Sequence, residues 1–304
     1  MNEFFVAEPN CCESIGDLRF LLSRFGTHAG RYLVEYPKDW RSLLREKFQS
    51  PMEEKRFEYL LEEVKKLDNA AILVKPSLPW KPEFSWVDNA LNLTRIQPPE
   101  IDEIITSPLA TKPGTVSFDD PKLFSNAGER IHTQPNEYVR VCKTLMIVSH
   151  ELHFIDPYLN PCKKDYQVVL EEMLKVIAKG KCRRVIFWAK TSYVIGERRH
   201  SWEEVVRGWK DLLRSVGWPD DRCFQYNLVD DSWSDEIHAR YLLSFKGAVR
   251  LDKGFQRQPR DRKVDVSPVD KSTHDDLWQI YHEGKHDMKI EHCFQHNQRL
   301  CRSP

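Results

Sequence analysis

From residue 136 onward, short apolar runs alternate with single amphipathic helices, and this alternation restricts the fold more than any other feature of the sequence. "TLMIVSHELHFIDPYL" (144–159) reads as strand, "DYQVVLEEMLKVIAKG" (165–180) as a helix closed by Gly180, and "RRVIFWAK" (183–190) as a buried strand. "SWEEVVRGWKDLLRSVG" (201–217) reads as a helix opened by Ser201 with glutamates in its first turn, and "CFQYNLVD" (223–230) as another strand. A hairpin, "IHARYLLSFKGAVRLD" (237–252), and a helix near "STHDDLWQIYHEG" (272–284) come next. Strands separated by single helices predict an α/β fold: a mixed, mostly parallel sheet with flanking helices, ending in a β-hairpin.

The first 75 residues predict a smaller α/β region. "EFFVAEP", "RYLVEYP" and "AAILVKP" read as strands, and Leu18, Leu21, Leu22 and Phe25 follow helical spacing up to Gly26. Ser50 and Pro51 open a further helix as N-cap and first helical residue. Prolines from Pro76 to Pro135 then punctuate the chain, and because proline cannot donate to a ladder this stretch predicts an irregular connector. Trp80, Phe84 and Trp86 argue that it is ordered. The expected organisation is therefore 1–75, a connector over 76–135, the main domain over 136–285, and a tail over 286–304.

With 46 basic and 46 acidic residues the net charge is zero, so any polyanion binding must come from a local patch. No apolar run is long enough to span a bilayer, and the acidic start "MNEFFVAEPNCCE" is unlike a secretory signal, so a cytoplasmic location is expected. Eight scattered cysteines without a CxxC pair predict reduced thiols rather than a disulfide framework.

Several residues could carry chemistry. On a strand, His238 and Arg240 share a face, where a histidine can attack phosphorus or move a proton while a guanidinium fork holds the nonbridging oxygens. Asp156 and Tyr158 follow a strand, at the position where open α/β sheets place ligand crevices; the same residues also suit a plain Asp-Pro turn. Arg250, Lys253, Arg257, Arg260, Arg262 and Lys263 form a basic run suited to phosphate contacts, or to a solvated surface offset by Asp261 and Asp265. His150 and His153 do not share a strand face, and the tail histidines and cysteines (His286, His292, Cys293, His296, Cys301) match no established zinc spacing. Neither a metal nor another cofactor is expected.

"FIDPYLNP", "RRVIFWAK", "CFQYNLVD" and "IHARYLLSFKGAVRLDKGFQ", in this order and separated by helices, resemble the phospholipase D-like fold over about residues 136–285. The closest likeness is to the variant at the C-terminus of the microtubule-interacting-and-trafficking proteins, through Asp156-Pro157-Tyr158, His238-x-Arg240 and Gly247…Asp252-Lys253-Gly254. The resemblance implies His238 and Arg240 as the catalytic pair, with Lys253, Asp156 and Tyr158 around the phosphate, and the basic run adds Arg257 as a phosphate contact. Active relatives carry His-x-Lys and a following aspartate, where this chain has Arg240 and Phe245. The resemblance, with these departures, implies an atypical or noncatalytic phosphodiester-binding protein, such as a nucleic-acid-binding subunit of a prokaryotic antiviral defence assembly. The alternative is a phosphodiesterase or nuclease acting through a phosphohistidine on His238, and a single motif then implies a homodimer with two His238 facing across a twofold axis.

Overall fold

A computed structural model describes residues 3–26, 29–67, 79–95, 101–107, 113–124, 128–232, 236–258, 262–297 and 301. The chain divides into two compact units, Asn2–Ala127 and Gly128–Pro304. The α/β class holds in both.

In the N-terminal unit, β1 (Glu3–Ala7), β2 (Arg31–Leu33), β3 (Glu103–Thr106) and β4 (Val116–Ser117) form a parallel sheet in the order β2-β1-β3-β4. Strand alternation gives β1 two apolar faces. Phe5 and Ala7 pack with α1 (Ile15–Leu22), α2 (Trp40–Lys47) and α3 (Pro51–Leu67) through Leu18, Leu21, Trp40, Leu44 and Phe57. Val6 faces α4 (Trp86–Arg95) through Ala90 and Leu93. Ser14 and Asp17 cap α1 reciprocally. The proline-punctuated stretch is thus no mere connector: it supplies α4, β3 and β4, because prolines lie between these short elements and not inside them. The strand expected over "AAILVKP" lies outside the described residues.

The C-terminal unit is built on an eight-stranded sheet, β12-β8-β7-β6-β9-β10-β11-β5. Its strands are β5 (Glu129–His132), β6 (Glu151–Ile155), β7 (Arg184–Lys190), β8 (Cys223–Asp230), β9 (Tyr241–Ser244), β10 (Gly247–Leu251), β11 (Lys263–Pro268) and β12 (Lys289–His296). Parallel pairing joins β6, β7 and β8, and the remaining pairs are antiparallel. Leu152, Phe154, Val185, Phe187 and Ala189 face α5 (Pro135–Val148), α6 (Lys164–Lys179) and α8 (Trp202–Val216), while Ile155, Ile186 and Trp188 face α9 (Lys271–Tyr281) on the other side. A short α7 (Thr191–Val194) follows β7.

Three expectations are corrected here. Residues 144–148 end a helix, because Tyr138, Val141, Cys142, Leu145 and Met146 bury one helical face and the strand begins only at Glu151. Residues 289–296 form edge strand β12 instead of a loose tail. Cys223 and Cys301 are joined in a disulfide, so not every cysteine is a free thiol; Cys11, Cys12, Cys142 and Cys182 are free and buried. No helix among the described residues is long and apolar enough to cross a membrane.

Helix α8 carries a full capping box, with the Ser201 hydroxyl accepting from the Glu204 amide and the Glu204 carboxylate accepting from the Ser201 amide, and it ends at Gly217 in the left-handed region. Ser201→Ala is expected to lower unfolding free energy by about 1 kcal/mol in chemical denaturation, with the slope against denaturant unchanged. An unaltered midpoint would show that the cap contributes nothing.

Candidate functional site

Strand β9 runs antiparallel to β6 with Tyr241 opposite Ile155, so the amino end of β9 meets the carboxyl end of β6. Chain order reverses there: β6 leads outward through β7 to β8, and the chain then returns to lay β9 on the other side of β6. Such a switch point leaves a crevice beyond the strand ends. Strand β10 ends at the same edge, since the Leu251 amide donates to the Arg240 carbonyl at 3.0 Å. The topology therefore brings Asp156, Tyr158, His238, Arg240 and Lys253 to one edge.

His238 and Arg240 do not lie on a strand as expected. They precede β9, in a loop held from behind by buried Asp231, whose Oδ2 accepts from the Ile237 amide at 3.0 Å and pairs with Lys190 Nζ at 3.0 Å. Ile237 is drawn into the core and its amide is spent on Asp231, so it does not start the ladder. His238 and Arg240 therefore share no strand face, and loop geometry presents them instead. His238 is exposed.

Asp156 is fully buried, and its carboxylate joins four segments. Oδ1 accepts from the Tyr158 amide at 3.0 Å, and Oδ2 accepts from the Phe255 amide at 3.2 Å and the Tyr166 hydroxyl at 3.3 Å. Arg240 Nε lies 3.9 Å from Oδ1. Burial pushes the Asp156 carboxyl up to about 6, against the lowering pull of the two amides, Arg240 and Tyr166. Gly254 makes the approach possible: its φ is 70°, and a Cβ there would sit 2.0 Å from Asp156 Oδ2. In "DKGF" the glycine is therefore a requirement of the carboxylate.

Arg240 is braced rather than buried. Its Nη1 donates to the Asp252 carbonyl at 3.1 Å, its guanidinium lies 5.2 Å from the centre of the Tyr158 ring, and its Nε is buried without a hydrogen bond, although the side chain as a whole is 25% exposed. Tyr158 stacks on Tyr193 at 4.3 Å between ring centres, and each residue is 37% exposed. Lys190 and Tyr193, which sequence reasoning did not single out, thus join the edge; the end of the "RRVIFWAK" strand was the available signal.

Among the basic run, Lys253 is exposed, whereas Arg257 is engaged with Asp165 at 3.3 Å and Arg260 lies outside the described residues. The tail histidines do not cluster among the described residues, because β12 spreads His292 and His296 along an edge strand. A different set does converge: Glu151, His153 and His282 bring three potential ligand atoms within 4.8 Å of one another. Glu151 and His153 could have been read from strand alternation, but His282 reaches them only through the fold.

Because its folded value is raised, Asp156 contributes stability that is complete below about pH 4, where the unfolded chain also protonates, and that is lost as pH rises through about 6. The difference in unfolding free energy between wild type and Asp156→Asn is expected to fall by roughly 3 kcal/mol from pH 4 to pH 7. A difference that stays flat or rises would contradict this account. Gly254→Ala is expected to destabilise by at least about 2 kcal/mol at any pH, through strain at positive φ and collision with the carboxylate.

No protein-family model matches the chain and no curated protein is significantly similar to it, so the functional reading rests on this geometry.

Proposed function

We propose that the C-terminal unit is a phospholipase D-like module that binds the phosphodiester backbone of single-stranded nucleic acid without cleaving it. The observation that carries this reading is Arg240 at the β6/β9 switch point, its side chain a quarter exposed and its guanidinium braced by Asp252 and Tyr158 while the buried Nε faces Asp156. A braced guanidinium loses little freedom on binding and offers a planar fork that suits phosphate oxygens. Beside it the exposed Tyr158–Tyr193 pair offers a stacking surface for bases, which a lipid headgroup would not use. Lys253 and His238 extend the edge on the solvent side.

Binding is favoured over turnover because Asp156 is committed to three hydrogen bonds inside the fold, and Arg240 and Phe245 stand where active relatives have lysine and aspartate. Phe245 lies in the β9–β10 turn against Trp278, with ring centres 5.8 Å apart. Service as a subunit of a larger antiviral assembly in the cytoplasm of a prokaryote belongs to the same proposal.

The test is fluorescence anisotropy of a labelled single-stranded oligonucleotide. Wild type is expected to bind with a log–log salt slope of about −0.7 per phosphate contacted. Arg240→Ala should weaken binding at least tenfold, Arg240→Lys should restore part of it, and Tyr158→Ala should weaken it with little change in salt slope. Arg257→Ala should change the slope less than Arg240→Ala, since Arg257 already gives two nitrogens, Nε and Nη2, to the half-exposed Asp165 carboxylate. Binding should withstand a chelator. Equal affinities for wild type and Arg240→Ala would overturn the proposal, and oligonucleotide cleavage abolished by His238→Ala would replace it with the phosphohistidine enzyme.

A further inference from the structure

The opposite end of β6 carries a different chemistry. Strand alternation puts Glu151 and His153 on the face that looks toward α9. His153 is fully buried with Nε2 at 2.8 Å from Glu151 Oε1, and His282, which caps the end of α9, places Nδ1 at 2.7 Å from the same oxygen. Arg184 Nη1 stands 3.6 Å from Oε2. His282 is clamped by Trp278, with ring centres 4.2 Å apart and planes 17° from parallel, yet its side chain is 40% exposed. Two imidazole nitrogens and a carboxylate therefore converge from fixed directions, with one side open to solvent. This donor set suits zinc and its first-row neighbours; calcium would want about six to eight oxygens.

The second nitrogen of His153 is what makes the cluster unusual. Trp188 Nε1 donates to His153 Nδ1 at 3.2 Å, with the two ring planes 10° from parallel. An indole nitrogen can only donate, so Nδ1 is the acceptor and the ring proton sits on Nε2, pointing at Glu151. A metal-bound histidine ordinarily gives its other N–H to an acceptor. Here that position is taken by a donor.

We infer that Glu151, His153 and His282 form a site for a divalent transition metal of the zinc class, and that Trp188 restrains its affinity by favouring the His153 tautomer that metal binding must reverse. On binding, lone pairs of His153 Nε2, His282 Nδ1 and a Glu151 oxygen form the coordinate bonds, and water takes the open side. The His153 proton moves to Nδ1 and the His282 proton to its Nε2, so both imidazoles stay neutral and nothing is oxidised or reduced. The moved proton on His153 then faces the Trp188 N–H, and the hydrogen bond between them is lost. The site thus lies on the same strand as the proposed phosphate edge, three residues (His153) to five residues (Glu151) before Asp156, or about 10 to 16 Å at 3.3 Å per residue, and shares no side chain with it.

Isothermal titration of the full chain with zinc chloride, paired with the visible spectrum of the cobalt-substituted protein, tests the inference. One equivalent per chain is expected, with His282→Ala and Glu151→Gln each lowering affinity at least tenfold. Trp188→Phe, confirmed as folded by circular dichroism, is expected to raise affinity about tenfold or more, because it removes the opposing donor. That gain is the signature of the tautomer argument, since a purely structural cluster would gain nothing. The site is refuted if wild type shows no saturable binding up to about 1 mM zinc, or if His282→Ala, a partly exposed position, binds as wild type does. A folded Trp188→Phe protein that binds zinc no tighter than wild type would overturn the restraint by Trp188.

Discussion

The buried carboxylate of Asp156 is the constraint around which the candidate phosphate edge is arranged. An ionised group with no exposure is costly, and it is tolerated here because two backbone amides, a tyrosine hydroxyl and a nearby guanidinium point at it. Each of those donors belongs to a different segment: the turn after β6, the first turn of α6, the turn after β10, and the loop before β9. The carboxylate therefore ties together pieces that the sheet alone would only bring near one another. Gly254 is forced by this approach.

Strand β6 organises the C-terminal unit because it differs on its two faces and at its two ends. Leu152 and Phe154 belong to the large core under α5, α6 and α8, whereas Glu151 and His153 lie with Trp188 and His282 on the α9 side. Burial would raise the Glu151 carboxyl, but the hydrogen bonds from His153 and His282, with Arg184 nearby, hold it down at about 2. The His153 imidazole is pushed down by burial, partly offset by Glu151. One short strand thus places a carboxylate raised by burial at one end and a carboxylate held low by donors at the other. The difference comes from which groups surround each of them.

Basic residues on the chain divide in a similar way. Arg257, Arg130 and Arg140 are engaged with Asp165, Asp265 and Glu129 respectively, which is the ordinary fate of surface cations. Arg240 differs because its carboxylate partner, Asp156, is fully buried and 3.9 Å away, while its hydrogen bond to the Asp252 carbonyl uses a single nitrogen. A chain with no net charge can bind a polyanion only through such local departures from neutrality.

Periodicity in the sequence determined the α/β class, most strands and the long helices, because burying an apolar face imposes a period of two or 3.6 whatever surrounds it. Capping at Ser50 and Ser201 was legible for the same local reason. The helix over 135–148 was half missed, since an apolar run at a helix end looks like a strand until its partners are known, and β12 was missed because an exposed edge strand carries little apolar pattern. At the candidate edge, residue types and chain order were legible in "IDPY", "HAR" and "DKGF". That His238 and Arg240 sit in a loop, that Cys223 meets Cys301, and that His282 reaches Glu151 across 131 positions were decided by tertiary structure alone. Local sequence constrains neighbours along the chain, whereas a site is made by groups whose only relation is the distance between them after folding.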